Sequence, residues 1–360
     1  MALVHDWLNG MRGGERVLEH FCALFPKADL YTLIYERDKV SPAIRAMNVK
    51  ELTFGRLPGA KKHYRNLLPL LPLAIREAPT AKYDLVISTS HCVAKGAFPP
   101  ARGKHLSYVF SPMRYVWDHF RDYKSGKWWK DAALHLARAP LQRWDVRSCG
   151  RVDAFAADSA HIADKIRRFW KREATAILPS VELDRFTPDY QPSDDYFLIV
   201  AAMVAYKKVD RAIKAANLTG QRLVVVGKGP EEERLRALAG PTVEFAGHVS
   251  DAELPRYYQR ARALLYPATE DYGITALESQ ACGRPVIAFA KGGAMETVVN
   301  GKTGTFFHEP SVKALAHAMQ EHNDDAFDPH SIRAHAEGFS PARFRQSLRE
   351  WIEGEMRFSA

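Results

Sequence analysis

Short apolar runs rich in Val, Ile and Leu recur along the 360-residue chain every few tens of residues, each followed by glycine or polar residues and then a segment of helical periodicity. This alternation predicts strand–helix units. In the first half the pattern predicts strands over residues 2–5, 30–34, 85–89, 106–110, 154–157 and 176–178. It predicts helices over 15–25, with Val17, Leu18, Phe21 and Phe25 on one face, and over 160–169, with Ser159 as N-cap. A polar stretch over 179–193, carrying Pro188 and Pro192, interrupts the pattern and reads as a linker. Beyond it, strands are predicted over 197–202, 222–226, 243–245, 263–266, 286–289 and 305–307, separated by helices such as 230–239 and 252–260. Runs apolar on both faces and joined by helices imply parallel strands covered on both sides. The expected fold class is therefore α/β, with two doubly wound parallel sheets. Ligands of such sheets bind at the carboxyl ends of the strands, and a cleft between two facing domains is expected there.

Charge divides the chain. Of the net +9, residues 1–200 hold all of it, with 31 basic and 22 acidic side chains, while residues 201–360 are neutral. Between 51 and 150, 17 basic residues stand against 7 acidic ones. A basic half beside a neutral one suggests two tasks, the basic one meeting a phosphate-bearing ligand, a lipid surface or nucleic acid; solubility alone is the competing explanation. Cys22, Cys92, Cys149 and Cys282 lie far apart, so neither a disulfide framework nor a zinc site is indicated, and a reducing cytosol fits. No signal peptide is expected, with Asp6 and Arg12 so early, and the longest apolar run is far short of the ~20 residues that span a bilayer. Membrane contact would be peripheral.

The densest candidate chemistry is the stretch from Pro267 to Glu278. The loop carries Glu270 and Tyr272, Gly273 allows close backbone approach, and a helix begins near Ile274 or Thr275, where free N–H groups favour an anion. Glu270 and Glu278, eight residues apart, can touch different parts of one ligand; ordinary helix capping would also place a carboxylate there. Lys207 and Lys208 follow the first strand of the second half and can neutralise a diphosphate, or simply be solvated. Gly227 in Gly227-Lys228-Gly229 argues only for close backbone approach, because no complete dinucleotide fingerprint is present. Gly13 and Gly14 open the first helix and could admit a phosphate or serve a turn. His5 with Asp6, His91, and Ser111 with Arg114 stand at strand ends of one sheet and converge on one face.

Lys61, Lys62, His63 and Arg65 precede Leu67, Leu68, Leu70, Leu71, Leu73 and Ile75, and Lys124, Lys127 and Lys130 interleave with Trp128 and Trp129. Both stretches suit an interfacial surface, and both suit a buried hairpin and a packed Trp pair.

The stretch Glu270 to Glu278 resembles the E-x7-E motif of family 4 retaining glycosyltransferases of the GT-B fold. Val4 to Leu8 with Gly13-Gly14-Glu15 is similar to that family's N-terminal donor loop, Tyr206 to Asp210 to its diphosphate-binding motif, and Pro179 to Pro188 to its interdomain linker. Phe245 to Ser250 and Ala281 to Pro285 are further landmarks. Tyr108 to Asp118, with Pro112-Met113-Arg114, most resembles bacterial O-antigen and exopolysaccharide mannosyltransferases.

The resemblance implies an N-terminal acceptor-binding domain (1–178), a linker (179–193), a C-terminal nucleotide-sugar domain (194–338) and a terminal helix (339–360) crossing back to the first domain. It implies a sugar moved, with retention, from GDP-mannose or a UDP-sugar to a lipid-diphosphate-linked saccharide, by a protein at the cytoplasmic face of the inner membrane. Neither metal nor nucleic acid is expected. Glu270, Lys207 and His91 would act at the reacting centre. Gly13, Gly14, Lys207, Lys208, Gly227, Val249, Glu270, Tyr272, Gly273, Ile274, Thr275 and Glu278 would bind donor, and His5, Asp6, Ser111 and Arg114 acceptor. Three positions depart from the family: Ala202 stands where relatives carry an arginine, Phe110 where some carry a histidine, and Ala276 where proline is common. A nucleotide-sugar epimerase and a non-catalytic membrane-binding protein are the alternatives.

Overall fold

The computed structural model describes residues 1–118, 120 and 128–357, apart from the side chains of residues 65, 129–131 and 133. The chain divides into two units, one of Met1–Leu178 joined by the chain from Phe344 onward, the other Pro179–Arg343.

The first unit is built on seven parallel strands: β1 (Ala2–His5), β2 (Asp29–Thr32), β3 (Asn48–Glu51), β4 (Leu85–Ser90), β5 (Lys104–Val109), β6 (Ala154–Ala157) and β7 (Thr175–Ala176). Their order is β3-β2-β1-β4-β5-β6-β7. The chain winds outward from β1, then returns to start again on its other side at β4, so the direction of winding reverses between β1 and β4. His5 pairs with Thr89 in register at that reversal. One face of the sheet packs Leu3, Leu30, Ile87 and Leu106 against Val17, Leu18 and Phe21 of the helix Gly13–Leu24. The same cluster takes in Phe344, Leu348, Trp351 and Ile352 from the last helix, Pro341–Arg357. Each such side chain contributes roughly 1.5–3 kcal/mol on burial, which fixes where the helix lies. Ser159 caps the helix Ala160–Trp170 as its sequence predicts, accepting from the Ile162 N–H at 3.1 Å.

The second unit holds six parallel strands: β8 (Phe197–Val200), β9 (Leu223–Val226), β10 (Val243–Gly247), β11 (Leu264–Tyr266), β12 (Val286–Phe289) and β13 (Gly304–Phe307), ordered β10-β9-β8-β11-β12-β13. Here the winding reverses between β8 and β11. Both sheets are thus Rossmann-like, and the expected α/β class holds.

Two features lie beyond what the hydrophobic pattern predicts. β3 is absent from the predicted strands, because Asn48-Val-Lys-Glu51 is polar and half exposed; it sits at the sheet edge, where charged residues discourage further pairing. The stretch from Pro179 does not hang free. Val181 and Phe186 are buried, Arg333 donates to the Phe186 carbonyl at 2.6 Å, and Arg284 donates to that of Gln191. Its backbone partners are arginines some ninety to a hundred and fifty residues further on, which local composition cannot reveal.

Candidate active site

In doubly wound sheets, ligands bind where the winding reverses, at the carboxyl ends of the two central strands. In the second unit those ends carry Ala201 to Lys208 after β8 and Pro267 to Gly273 after β11. Lys208 adopts φ 54° and starts the helix Val209–Thr219. Lys207, in the turn before it, forms an ion pair with Glu270, so the two loops meet through a cation and a carboxylate, both largely buried. Arg211 donates to the Pro267 carbonyl at 2.7 Å and ties the same loops together. The sequence reading missed Arg211, which looks like any helix cation until β8 and β11 are neighbours.

Gly273, at φ 91°, caps the helix Ile274–Ala281, and a side chain there would overlap the Tyr266 hydroxyl. The first turn of that helix holds Ile274 and Thr275. Tyr272 is buried and its hydroxyl donates to the Pro179 carbonyl, so it anchors the loop from beneath. A second glycine pair escaped the sequence reading. Gly293 donates its N–H to the Glu270 carbonyl at 2.9 Å, and a Cβ on Gly292 or Gly293 would overlap the carbonyls of Glu270 or Tyr272. The signal was present as adjacent glycines after a strand, but its partner is a loop twenty residues earlier. At Gly227, the close approach expected from sequence is to the chain's own Ala201 carbonyl. Val249 follows β10 and is half-buried.

Glu278, half-buried on the helix Ile274–Ala281, accepts from the Tyr258 hydroxyl at 2.7 Å. Burial pushes its carboxyl up to about 7 against the pull of Tyr258 and Arg185. The folded form therefore holds a proton that the unfolded chain releases near its ordinary value. The associated stability is complete below that ordinary value and is lost as pH rises through about 7. Glu278→Gln should remove this slope, so that between pH 5 and pH 8 the melting temperature of the wild type falls relative to the variant's. Parallel melting curves across that range would refute the assignment.

In the first unit the reversal brings together the ends of β1 and β4. Asp6 is wholly buried. Its Oδ2 accepts from the backbone N–H groups of His91 (2.8 Å) and Cys92 (2.9 Å), and its Oδ1 from those of Val93 (2.6 Å) and Ala94 (2.7 Å). His91 Nδ1 lies 3.2 Å from Oδ2 of the same carboxylate. His5, also wholly buried, joins Thr89 through Nδ1 at 2.7 Å, and burial pushes its imidazole down to about 3, so it is neutral. Both residues expected at the acceptor are thus wholly buried: Asp6 is engaged by the His91–Ala94 loop, and His5 is held by Thr89 through Nδ1 while its Nε2 has no hydrogen-bond partner among the described residues. Ser111 is buried and donates to the Pro112 carbonyl at 2.9 Å, while Arg114 is half-buried. Gly13 and Gly14 lie in the first turn of their helix, where Glu15 accepts the Arg12 N–H at 3.0 Å. A Cβ on Gly14 would stand 3.3 Å from the Phe110 ring.

The basic leucine-rich stretch divides by face. Leu68, Leu71 and Ile75 are core, whereas Leu57, Leu70 and Leu73 are exposed beside exposed Arg56, Lys61, Lys62 and Arg76. Trp128 is 82% exposed, and Lys124, Lys127 and the side chains of Arg65, Trp129 and Lys130 lie outside the described residues. Among the described residues, no helix is long and apolar enough to cross a membrane.

Residues 180–338 match the family model for glycosyl transferases group 1. That span takes in nearly all of the second unit. Within it fall Lys207, Lys208, Arg211, Glu270, Gly273, Glu278 and the Gly292–Gly293 pair, whereas His5, Asp6 and His91 lie outside the matched span. The chain is 34% identical over 172 residues to the GDP-mannose-dependent alpha-(1-6)-phosphatidylinositol monomannoside mannosyltransferase of Mycobacterium tuberculosis, covering 40% of this chain and 45% of that one. It is 34% identical over 139 residues to the D-inositol 3-phosphate glycosyltransferase of Acidothermus cellulolyticus, covering 30% of this chain and 31% of that one. The chain spans about half or less of the length of these curated relatives. The fold resembles Anabaena HepE in complex with UDP, with TM-score 0.74 and 16% identity over 98% of this chain and 100% of that one. It also resembles WaaG, a glycosyltransferase involved in lipopolysaccharide biosynthesis, with TM-score 0.67 and 17% identity over 98% of this chain and 100% of that one. These likenesses place the fold among GT-B glycosyltransferases.

Proposed function

We propose that the protein is a retaining, metal-independent glycosyltransferase of family 4. In this reading it moves a sugar, mannose from GDP-mannose in the first instance, onto a lipid-diphosphate-linked saccharide in bacterial surface polysaccharide biosynthesis. The observation that carries it is the Lys207–Glu270 pair at the winding reversal of the second unit, next to the helix opened by Gly273.

A nucleotide-sugar leaves as a diphosphate while positive charge develops on the sugar. Lys207, Lys208 and the N–H groups near Gly273 to Thr275 would hold the diphosphate, in a largely buried setting where fixed charges act strongly. Glu270, fixed by Lys207 and by the Gly293 N–H on its carbonyl, would face the sugar hydroxyls and the developing cation. Glu278, with Tyr258 on one oxygen, would accept from the ribose hydroxyls. Arg211 supplies a further cation beside the same loops, where Ala202 replaces the arginine of many relatives. Retention by front-side attack follows from the family resemblance rather than from any pair of flanking carboxylates.

On the acceptor side, His91 is the half-buried group after β4, and half-buried Arg114 follows the neighbouring strand β5. Exposed Leu57, Leu70 and Leu73 among Arg56, Lys61, Lys62 and Arg76 suit peripheral attachment to an anionic membrane face, where a lipid-linked acceptor would be met. UDP-sugar specificity is the second reading, favoured by the fold likeness to HepE in complex with UDP.

Incubation with radiolabelled GDP-mannose, UDP-glucose or UDP-N-acetylglucosamine and a bacterial lipid extract tests the proposal. Label should pass into lipid from one donor, GDP-mannose by this reading. Transfer from a UDP-sugar alone selects the second reading, and release of an epimer or no reaction with any donor overturns both.

A further inference from the structure

Among the described residues, Glu278 has the Tyr258 hydroxyl on Oε2 and no ion-pair partner. The charges that act on it come from a turn at the start of the linker and from the loop after β10. The turn is closed by the Arg185 and Phe186 N–H groups, which donate to the Glu182 carbonyl at 3.1 and 2.9 Å. The Arg185 guanidinium lies over the Phe186 ring at 4.7 Å, and Phe186, itself buried, meets the Tyr258 ring edge-on at 5.7 Å. Nη1 of Arg185 pairs with Glu182 and Nη2 with Asp251, each at 3.1 Å, and Nε donates to the Asp251 carbonyl at 2.9 Å. One guanidinium thus stands among three carboxylates. It pulls the Glu278 carboxyl down, while Glu182 and Asp251 push it up. The turn is fixed against the helix that bears Glu278. Arg333, in the helix Pro329–Glu337, donates from the same nitrogen, Nη1, to the Phe186 carbonyl at 2.6 Å and to the Ala281 carbonyl at 2.9 Å, so the end of the turn and the end of the helix Ile274–Ala281 share one donor group. Gln259, next to Tyr258 in the chain, donates to the Thr187 carbonyl at 2.6 Å. The other polar groups of the helix Pro329–Glu337 are turned elsewhere: Arg333 Nε faces Glu337 at 3.0 Å, and His335 Nδ1 lies 2.7 Å from Gln280 Oε1.

We propose that Arg185 is a positioning residue for Glu278: from the linker it offsets the charges of Glu182 and Asp251, and so keeps the Glu278 carboxylate free to accept from the ribose hydroxyls of a nucleoside diphosphate. Arg185 itself touches no ligand. That the ligand is a nucleotide rests on the proposed transferase activity; the relation of Arg185 to Glu278 does not. With its carboxyl pushed up to about 7, Glu278 is half ionised near neutrality, where a neighbouring charge most changes the amount of carboxylate present. The polar stretch that separates the two halves of the sequence is in this way a working part of the second unit's site, and its turn is held in place by Arg333 from far along the chain.

Because Arg333 secures backbone carbonyls of both the turn and the helix, its removal would loosen the turn itself, and the variants are made at Arg185. In the full-length protein labelled with 13C-glutamate, the Glu278 carboxyl signal, assigned by its loss in Glu278→Gln, should titrate about one pH unit higher in Arg185→Met than in the wild type, as removal of a facing opposite charge implies. Near pH 7 the wild type then presents about half of its Glu278 as carboxylate and the variant about a tenth, so in calorimetric titration with GDP and with UDP the nucleotide that binds should do so about five-fold more weakly to Arg185→Met. The gap should close by pH 9, where Glu278 is ionised in both proteins, and it should be absent at pH 7 with the dideoxy forms of the nucleotides, which lack the ribose hydroxyls. Loss of a merely structural contact would weaken binding alike at both pH values. Arg185→Lys, which keeps the charge, should recover most of the affinity at pH 7. A Glu278 signal that titrates no higher in Arg185→Met, a gap equal at pH 7 and pH 9, a gap that persists with the dideoxy forms, or no recovery in Arg185→Lys overturns the assignment. Binding of neither nucleotide by the wild type, with the Glu278 titration moved in Arg185→Met, overturns the nucleotide-sugar reading and leaves the relation of Arg185 to Glu278 standing.

Discussion

Lys207→Ala should lower kcat by ~10²–10³ while leaving the fold intact, the range seen when one preorganised donor to a developing charge is removed. Lys207 lies between two loops that only the winding reversal brings together, and its partner Glu270 is the carboxylate assigned to the sugar. Removing the ammonium takes away the charge proposed to hold the leaving diphosphate, and it also frees the Glu270 side chain from its fixed place. Both effects act on the transition state more than on the bound donor, so kcat should fall further than donor affinity. Arg211 and Lys208 remain near the same strand ends, which sets a floor under the loss. Steady-state transfer with a matching circular dichroism spectrum checks the expectation, and unchanged turnover would remove Lys207 from its role.

Lys95→Met should destabilise the first unit by about 3–5 kcal/mol, the cost of breaking a buried ion pair from one side. Lys95 and Asp145 are 1% and 0% exposed in their side chains and lie 3.0 Å apart. The ammonium also donates to the Asp145 carbonyl at 2.7 Å and to the Ser148 hydroxyl, between the rings of Trp144 and Trp170. Asp145 in turn accepts the indole N–H groups of Trp117 (2.8 Å) and Trp170 (2.7 Å). Methionine keeps much of the volume and none of the charge, leaving a buried carboxylate with its two indole N–H donors but no cation. A fall in melting temperature of roughly 10 °C is expected by calorimetry, and Lys95→Met with Asp145→Asn should recover part of it. A single variant as stable as the wild type would mean that the pair is not a buried charge at all. The network follows directly on the His91–Ala94 loop in the chain, so its loss should also loosen the Asp6 cradle.

The two halves of the site were unequally legible. The carboxylates Glu270 and Glu278 and the lysines Lys207 and Lys208 could be singled out because they sit beside strand ends and carry their own local spacing. That Lys207 and Glu270 pair, sixty-three residues apart, is a property of β8 lying beside β11. Gly292 and Gly293 were invisible as site residues because what they approach is the Glu270 to Tyr272 backbone, and Arg211 because its acceptor is the Pro267 carbonyl. His5 and Asp6 stand out in the sequence for their chemistry, but their burial does not: it comes from the 84–88-residue contacts with Thr89 and the His91–Ala94 loop. The leucine-rich stretch shows the same limit. Its composition suits both core and membrane face, and packing sorts Leu68 and Leu71 from Leu70 and Leu73 residue by residue.

By itself the sequence determined the two doubly wound parallel sheets, since strands apolar on both faces and joined by helices have few other ways to bury their surface, and it placed the charge asymmetry and the motif residues. The tertiary structure alone decided which strands are neighbours, and hence that β1 and β4, and β8 and β11, bring distant loops into contact. Periodicity records which face of an element is buried, but a hydrogen bond or ion pair between loops depends on strand order, which no local pattern encodes.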